Sequence, residues 1–183
     1  MSKGFKGFNL DMTCRGKQYT IGELAVHEGY IELTESGLHF CLELANVFVY
    51  YNSGIYCEVI VPDDASIITD ADKSVTNRLT PLSLLDGEYR SLGNTYCFKR
   101  GLLHRDGGLP ALIKANGSQY WYKEGKRHRD GDLPALIESD GIQLWYKDGK
   151  LHRDGDRPAI IEPYGRQYWY KEGNYLYRRN TRM

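Results

Sequence analysis

The sequence predicts a mainly β protein of the α+β class, in which a small α+β domain precedes an antiparallel single-layer β-sheet of hairpin repeats. A 24-residue repeat fills residues 101–172, turn signals punctuate every repeat, and residues 1–85 carry a different, non-repetitive pattern. The 183 residues suffice for two small domains. We therefore expect an acidic α+β domain over residues 1–85, a repeat domain over residues 86–177 and a basic tail over residues 178–183.

The repeats occupy residues 101–124, 125–148 and 149–172, and 13 of their 24 columns are identical in all three copies. Each copy contains a short apolar run, a turn signal and a second run rich in aromatic residues, which is the pattern of a β-hairpin. The flanking segments 93–100 and 173–177 match the repeat only in part. We expect them to cap the two ends of the array, because terminal repeats must shield the stack.

The register of each hairpin follows from its turn. The Asn-Gly pair at 116–117 favours a two-residue type I′ turn, which would place Ile113 opposite Tyr120 and Leu112 opposite Trp121. Directly opposed residues share a sheet face. This register predicts that Leu and Trp lie on one face, with Ile and Tyr on the other.

A second turn signal follows each aromatic run. The Glu-Gly pair at 124–125 would place Tyr122 opposite Arg127 and Trp121 opposite His128. Each Trp should therefore lie beside the His of the next repeat. Together the two turns predict one continuous platform with an aromatic and imidazole stripe.

The spaced His-Arg-Asp-Gly, Pro-Ala, Trp-Tyr and Gly signals over residues 93–177 resemble the HRDG variety of MORN-type repeats. The resemblance implies hairpins laid side by side into a long single sheet. It also implies a role as a spacer or as a contact surface for proteins or lipids. It carries over no catalytic residue.

The first domain is expected to contain strands at 55–61, 30–34 and 38–41, and a helix within 42–51. Several of its motifs, over residues 3–84, resemble an uncharacterised domain of bacterial and bacteriophage proteins that often precedes repeats. The resemblance implies a phage or prophage context and no particular chemistry. The motifs are Lys6-Gly7-Phe8, Cys14-Arg15-Gly16, Gln18-Tyr19, Gly37-Leu38-His39-Phe40-Cys41 and Lys73-Ser74-Val75-Thr76-Asn77.

The charge balance argues against nucleic acid as the partner. The 24 basic and 24 acidic residues cancel overall, although residues 1–85 hold 6 against 11 and residues 86–183 hold 18 against 13. No apolar run of membrane-spanning length and no signal-peptide pattern occurs, so we expect a cytoplasmic protein, in the host cytoplasm if phage-encoded, without membrane contact. The four widely spaced cysteines are expected to be reduced and mostly buried.

His104, His128 and His152 recur once per repeat and invite a metal site. Two strands per repeat would separate them by about 10 Å, too far for a shared zinc ion, so we expect no metal and assign them to packing on Trp and hydrogen bonding to nearby backbone. The Arg-Asp-Gly segments are expected to form turns, with Asp capping the loop through its own backbone.

The aromatic residues of the repeats leave two interpretations open. They either serve the fold alone or form a recognition surface, because a single sheet cannot bury both faces and Trp, Tyr and Arg dominate protein contacts. The predicted partner-binding residues are Trp121, Trp145, Trp169, Tyr122, Tyr146, Tyr170, His128, His152, Arg129 and Arg153.

The function expected from these observations is non-catalytic binding of a host or viral protein. Such binding fits a phage-encoded inhibitor or modulator of a host defence system, which would act by occupying a surface of its partner. No catalytic residue and no cofactor is predicted, and an exposed sheet edge makes a homodimer credible. A nucleotide-sequestering protein and an ADP-ribosyltransferase-like enzyme are the alternatives. The enzyme would use Arg15 or His39, Tyr50 or Tyr51, and Glu58. A nucleophilic Cys–His pair in the same domain is a further alternative.

Overall fold

Antiparallel β-ladders dominate the structure, a computed structural model that describes residues 1–51 and 54–180. The mainly β prediction is therefore confirmed. The chain divides into two compact units. The first comprises Met1–Asp86, Arg90–Leu92 and Arg100–Leu102, and the second comprises Gly87–Tyr89, Gly93–Lys99 and Leu103–Met183. Within the described residues, no helix is both long and apolar enough to cross a membrane.

The first unit is built mostly from strands. The elements are β1 Ser2–Phe8, β2 Thr13–Cys14, β3 Lys17–Gln18, β4 Ala25–Val26, β5 Leu38–Phe40, α1 Leu44–Tyr50, β6 Ile55–Val61, β7 Ile67–Thr69, β8 Ser74–Thr76 and β9 Arg78–Leu84. One sheet has the strand order β1-β6-β9-β4, another the order β5-β8-β7, and β2 pairs with β3.

Most of the predicted elements of this unit are present. Strand β6 has the predicted bounds and lies between β1 and β9, which accounts for its run of β-branched residues. The helix α1 is shorter than the predicted segment, with Leu44 and Val47 buried, so the α contribution to this unit is small. The strand predicted over 30–34 is wrong, because Glu32 bridges only to Ser36 and the chain turns back at once.

The second unit contains a long sheet and several short ladders. The strands are β10 Gly87–Ser91, β11 Asn94–Lys99, β12 Leu102–Leu103, β13 Leu112–Ile113, β14 Gln119–Tyr120, β15 Tyr122–Lys123, β16 Lys126–Arg127, β17 Leu136–Ile137, β18 Gln143–Leu144, β19 Tyr146–Lys147, β20 Lys150–Leu151, β21 Ile160–Ile161, β22 Arg166–Lys171 and β23 Asn174–Asn180. The long sheet has the order β10-β11-β13-β14-β17-β18-β21-β22-β23.

The first turn of each repeat differs from the prediction by one residue. Leu112 pairs with Tyr120, so the predicted pairs around the Asn-Gly turn are wrong, and Leu and Tyr share a face. The loop holds three residues, since Lys114 and Ser118 close it and the N–H of Gly117 donates to the Lys114 carbonyl at 2.9 Å. Only the glycine of the Asn-Gly pair has a positive φ, whereas a type I′ turn needs two such residues.

The second turn has the predicted register. Tyr122 pairs with Arg127, and the N–H of His128 donates to the carbonyl of Trp121 at 3.1 Å. Glu124 and Gly125 have φ values of 50° and 75°, as a type I′ turn requires. The predicted adjacency of each Trp to the His of the next repeat is thereby confirmed.

The predicted continuous platform is interrupted at the tryptophans. The ladders β15-β16 and β19-β20 lie outside the long sheet. The backbone N–H groups of Trp121 and Trp145 donate to the carbonyls of Ala135 and Ala159 at 2.8 Å, and the chain leaves the long sheet directly after these bonds. In the last repeat β22 continues past Trp169 with only a register shift. The predicted basic tail is described as far as residue 180, where it belongs to β23, and Arg182 lies outside the described residues.

Candidate functional site

Three grooves of equivalent construction recur along the second unit, and we call them the first, second and third grooves. Their volumes are about 220, 210 and 320 Å³. All ten predicted partner-binding residues line them, and the role of these residues in binding stays a prediction. The first groove contains Trp121, Tyr122, His128 and Arg129; the second contains Trp145, Tyr146, His152 and Arg153; the third contains Trp169 and Tyr170.

The tryptophans form the floors of the grooves. Trp121, Trp145 and Trp169 are only 5–6% exposed. Their indole Nε1–H groups donate to the carbonyls of Gly108, Asp132 and Asp156 at 2.8–3.0 Å, in the loop that follows each His-Arg-Asp. The indole rings therefore stabilise the fold, and a partner would contact the side chains that cover them before it reached the rings.

An arginine covers each of the first two tryptophans. The guanidinium carbons of Arg129 and Arg153 lie 3.8 Å from the ring centroids of Trp121 and Trp145. Such cation–π contacts hold the planar guanidinium flat on the indole. In the third groove Tyr177 takes this place and stacks on the indole with the ring centroids 4.8 Å apart.

Each histidine connects the start of its repeat to the turn at the end of that repeat. Nδ1 of His128 accepts the N–H of Asp148 at 3.2 Å, in the second turn of the same repeat, and its Nε2 donates to Asp130 at 3.0 Å. His104 and His152 make the equivalent pairs of contacts. Both ring nitrogens are thus engaged, and the described residues contain no cluster of metal-binding side chains.

The aspartates of the His-Arg-Asp-Gly segments bind side chains instead of capping their own loops, which corrects that prediction. The His128 and Lys123 side chains, in that order of effect, hold the pKa of Asp130 below its usual range. The same pattern lowers the pKa of Asp106 and Asp154. The rims of the first and second grooves therefore each carry a Lys–Asp pair, Lys123 with Asp130 at 3.3 Å and Lys147 with Asp154 at 3.2 Å.

The first groove lacks a carboxylate that the second and third grooves have. In the second groove Asp132 receives both Nε and Nη2 of Arg153, at 2.9 and 3.1 Å, and in the third Asp156 receives the Tyr177 hydroxyl at 3.0 Å. The equivalent residue of the first groove is Gly108, which has no side chain to offer Arg129.

Arg129 is consequently left without a carboxylate. It has no ion pair within 4.0 Å in the described part of the chain, and its Nε is buried without a hydrogen-bond acceptor. Its Nη1 donates to the Pro134 carbonyl at 3.3 Å, a contact that Arg153 repeats with Pro158. Burial lowers the pKa of Arg129. The sequence signal for this difference is the eighth column of the repeat, which reads Gly, Asp, Asp.

The residues suggested for an ADP-ribosyltransferase-like enzyme are only partly assembled. Arg15, His39, Tyr50 and Tyr51 line one groove of the first unit, of about 230 Å³. Glu58 is opposite Phe5 in the β1–β6 ladder, on the face away from Lys6 and Cys57, and it does not line that groove. The late glutamate of such an enzyme is thus missing from this place.

Comparison with known proteins matches part of the chain. Residues 2–88 match the family model described as a domain of unknown function (DUF7666), in keeping with the resemblance predicted over residues 3–84. No MORN family model matches the repeats, although their antiparallel hairpins are compatible with that resemblance. Searches of curated proteins and of solved structures found no match. The first part of the chain is therefore similar to DUF7666, and β-hairpin repeats follow it.

Proposed function

We propose that the protein is a non-catalytic protein-binding module whose first groove accepts a carboxylate from an acidic segment of a partner. The observation that carries the proposal is Arg129, a guanidinium stacked on Trp121 without an acceptor for its Nε. A buried donor without an acceptor costs about 1–3 kcal/mol, and a charged acceptor offsets that cost.

The second groove supplies the template for the bound state. There a carboxylate, that of Asp132, receives two donors of the equivalent arginine, while the arginine keeps its place on Trp145. A partner carboxylate in the first groove would make the same paired contact with Arg129. The site needs little rearrangement, because stacking already fixes the guanidinium plane.

The surroundings favour a single acidic side chain over a polyanion. Asp106 and Asp130 stand on the rim of the first groove and repel an extended row of phosphates. Leu133 also lines the groove and is about half exposed, so an apolar residue beside the acidic one would find a contact. The expected partner motif is therefore one Asp or Glu next to an apolar residue.

The consequence of such binding is occupation of a partner surface. The repeat row is held by hydrogen bonds between successive repeats, such as that of the Gly149 N–H to the Arg127 carbonyl at 2.9 Å, and this suits a pre-ordered surface. We propose a protein of a bacterial host as the partner class, in line with the phage context that the N-terminal resemblance implies. Inhibition of a host defence system is the corresponding role.

Selection from a displayed library of random peptides tests the proposal. The chain should enrich peptides that share an Asp or Glu beside an apolar residue. Arg129→Gln should weaken the best peptide at least about tenfold, since it removes a charge-assisted pair. Enrichment of peptides without acidic residues would contradict the proposal.

Gly108→Asp is the sharpest variant, because it supplies the missing carboxylate from within the chain. Gly108 has a φ of 71° and nothing within 4 Å of an added Cβ, and Asp132 holds a φ of 54° at the equivalent position. The variant should raise the free energy of unfolding by about 0.5–1.5 kcal/mol and block the peptide. The control Gly117→Asp adds the same charge at a positive φ in the loop between β13 and β14, outside the groove linings, and should leave the peptide bound.

A further inference from the structure

Most of the few basic residues of segment 1–85 lie in one place. Residues 1–85 contain 6 basic and 11 acidic side chains. Two adjoining grooves of about 230 and 170 Å³ share Cys14, Arg15 and His39 as lining residues, and we call them together the basic cleft. Four of the six basic residues line it: Lys6, Arg15, Lys17 and Lys73.

These four cations have no carboxylate partner. Within residues 1–51 and 54–180 none of them forms an ion pair within 4.0 Å, whereas Arg78 of the same unit pairs with Asp64 at 2.8 Å. They are held by neutral groups instead. Lys6 donates to the His39 carbonyl at 2.6 Å, Arg15 to the Thr34 and Glu35 carbonyls at 3.0 and 3.4 Å, and Lys17 to the Val26 carbonyl at 2.7 Å, while Lys73 lies 5.2 Å from the Tyr50 ring centroid.

Lys6 is the deepest of the four. It is 1% exposed, and its Nζ lies 5.4–5.9 Å from the ring centroids of Phe8, Tyr19 and Tyr51. Burial lowers the pKa of Lys6, and an adjacent Cys14 side chain opposes that effect. A buried ammonium without a counter-charge is unfavourable unless something else supplies one.

His39 adds an unsatisfied polar atom to the same wall. Its side chain is buried, Nε2 donates to the Leu33 carbonyl at 2.8 Å, and Nδ1 has no hydrogen-bond partner among the described residues. Burial and the nearby Arg15 lower the pKa of His39, so the ring is neutral at pH 7 and Nδ1 is an acceptor. A buried acceptor without a donor is commonly satisfied by a bound water or ligand hydroxyl.

We propose that the basic cleft binds a small phosphorylated molecule, with Arg15 and Lys73 contacting the phosphate and Lys6 supplying charge from below. A phosphate fits this arrangement because its oxygens accept donors from several directions at once, and Arg offers two in one plane. The volume and the acidic remainder of the unit favour a small anion over a nucleic acid strand. Glu35, the acidic residue on the cleft lining, lies in the smaller of the two grooves.

The source of the phosphate is distinguished by three probes in a thermal-unfolding titration of the full chain: inorganic phosphate, AMP and adenosine. A melting temperature that rises with the concentration of phosphate or AMP, and not with adenosine, supports the proposal. A response to phosphate alone identifies the free anion, and a stronger response to AMP identifies an ester. No response to either, or an equal response to adenosine, would overturn it.

Matched variants locate the site. Arg15→Gln combined with Lys73→Gln should weaken the ligand at least about tenfold, whereas Lys3→Gln, a charge removed from outside the cleft, should change affinity by less than about twofold. Equal losses in the two variants would show attraction to overall charge and contradict the site. Lys6 is left unchanged, because its burial makes misfolding the dominant effect of substitution. Gly108→Asp should not affect phosphate binding, so this test is independent of the peptide experiment.

Discussion

The first and second grooves of the repeat row are built from nearly the same residues and differ in what their arginine binds. Arg153 rests on Trp145 and is held by both oxygens of Asp132. Arg129 rests on Trp121 in the same way and has no carboxylate. A repeated unit can therefore be open in one copy and closed in the next, depending on whether a carboxylate lies beside the arginine.

Comparing the two grooves distinguishes the contacts that maintain the fold from the position that is free to bind a partner. The contacts that recur in both grooves are the indole bond to the loop carbonyl, the stacking of Arg on Trp and the hydrogen bond of each histidine to the turn that ends its repeat. They hold the array together wherever it is copied. The contact that does not recur is the carboxylate, and it marks the place where an outside group can enter.

The largest loss of stability is expected for substitution of a tryptophan at the floor of a groove. Trp145→Ala removes a buried indole, its bond to the Asp132 carbonyl and the platform of Arg153, and should lower the free energy of unfolding by about 3–5 kcal/mol. Urea denaturation measures the change. Because of this loss, Trp145→Ala is a poor test of binding. A decrease below about 1 kcal/mol would contradict the burial described here.

A smaller effect is expected for the closing carboxylate. Asp132→Asn disrupts the paired bonds to Arg153 and the contact with Arg157, and should destabilise the protein by about 1–2 kcal/mol. Asp156→Asn weakens only the bond from the Tyr177 hydroxyl and should destabilise by about 0.5–1 kcal/mol. Urea denaturation of both variants compares them, and the reverse order would contradict the role given to Asp132.

Sequence reasoning reached the repeat, its second turn and the position of each Trp beside the next His, because these depend on local residues and on a period of 24. It missed the register of the first hairpin, since an Asn-Gly pair suits both a two-residue turn and a three-residue loop, and the φ of Asn116 decides between them. It also left the burial of Trp121 open, because an aromatic strand suits an exposed or a covered face.

The sites were harder to predict for a topological reason. The glycine in the eighth column of the first repeat was visible in the sequence. Its effect on Arg129 was not, because Arg129 is 21 residues away from Gly108 in sequence and lies over Trp121 of the preceding repeat. The basic cleft draws on positions from 6 to 73, which only the sheet order and the loops bring together. Charge counting over residues 1–85 suggested an acidic surface and concealed the local excess of positive charge.

The stability that Asp132 contributes should depend on acid. Its hydrogen bonds to Arg153 hold its pKa below the usual range, so the folded carboxylate binds a proton less readily than the unfolded one. The stabilisation is therefore present above the unfolded pKa of about 3.9 and is lost as the pH falls below it. The difference in melting temperature between the wild type and Asp132→Asn should stay constant from pH 7 to about pH 5 and shrink towards pH 3. A difference that grows on acidification would contradict the sign.

The smallest effect is expected at the rims, where the two grooves are alike. Lys123 pairs with Asp130 at 3.3 Å and Lys147 with Asp154 at 3.2 Å, and all four side chains are about half exposed or more. Lys123→Met and Lys147→Met should each change the free energy of unfolding by about 0–0.5 kcal/mol, and by the same amount, because exposed ion pairs are screened by water and salt. The measurement is a pair of urea denaturation curves. A clear inequality between the variants would mean that the two grooves also differ at their rims, and that the open state of the first groove has a further cause there.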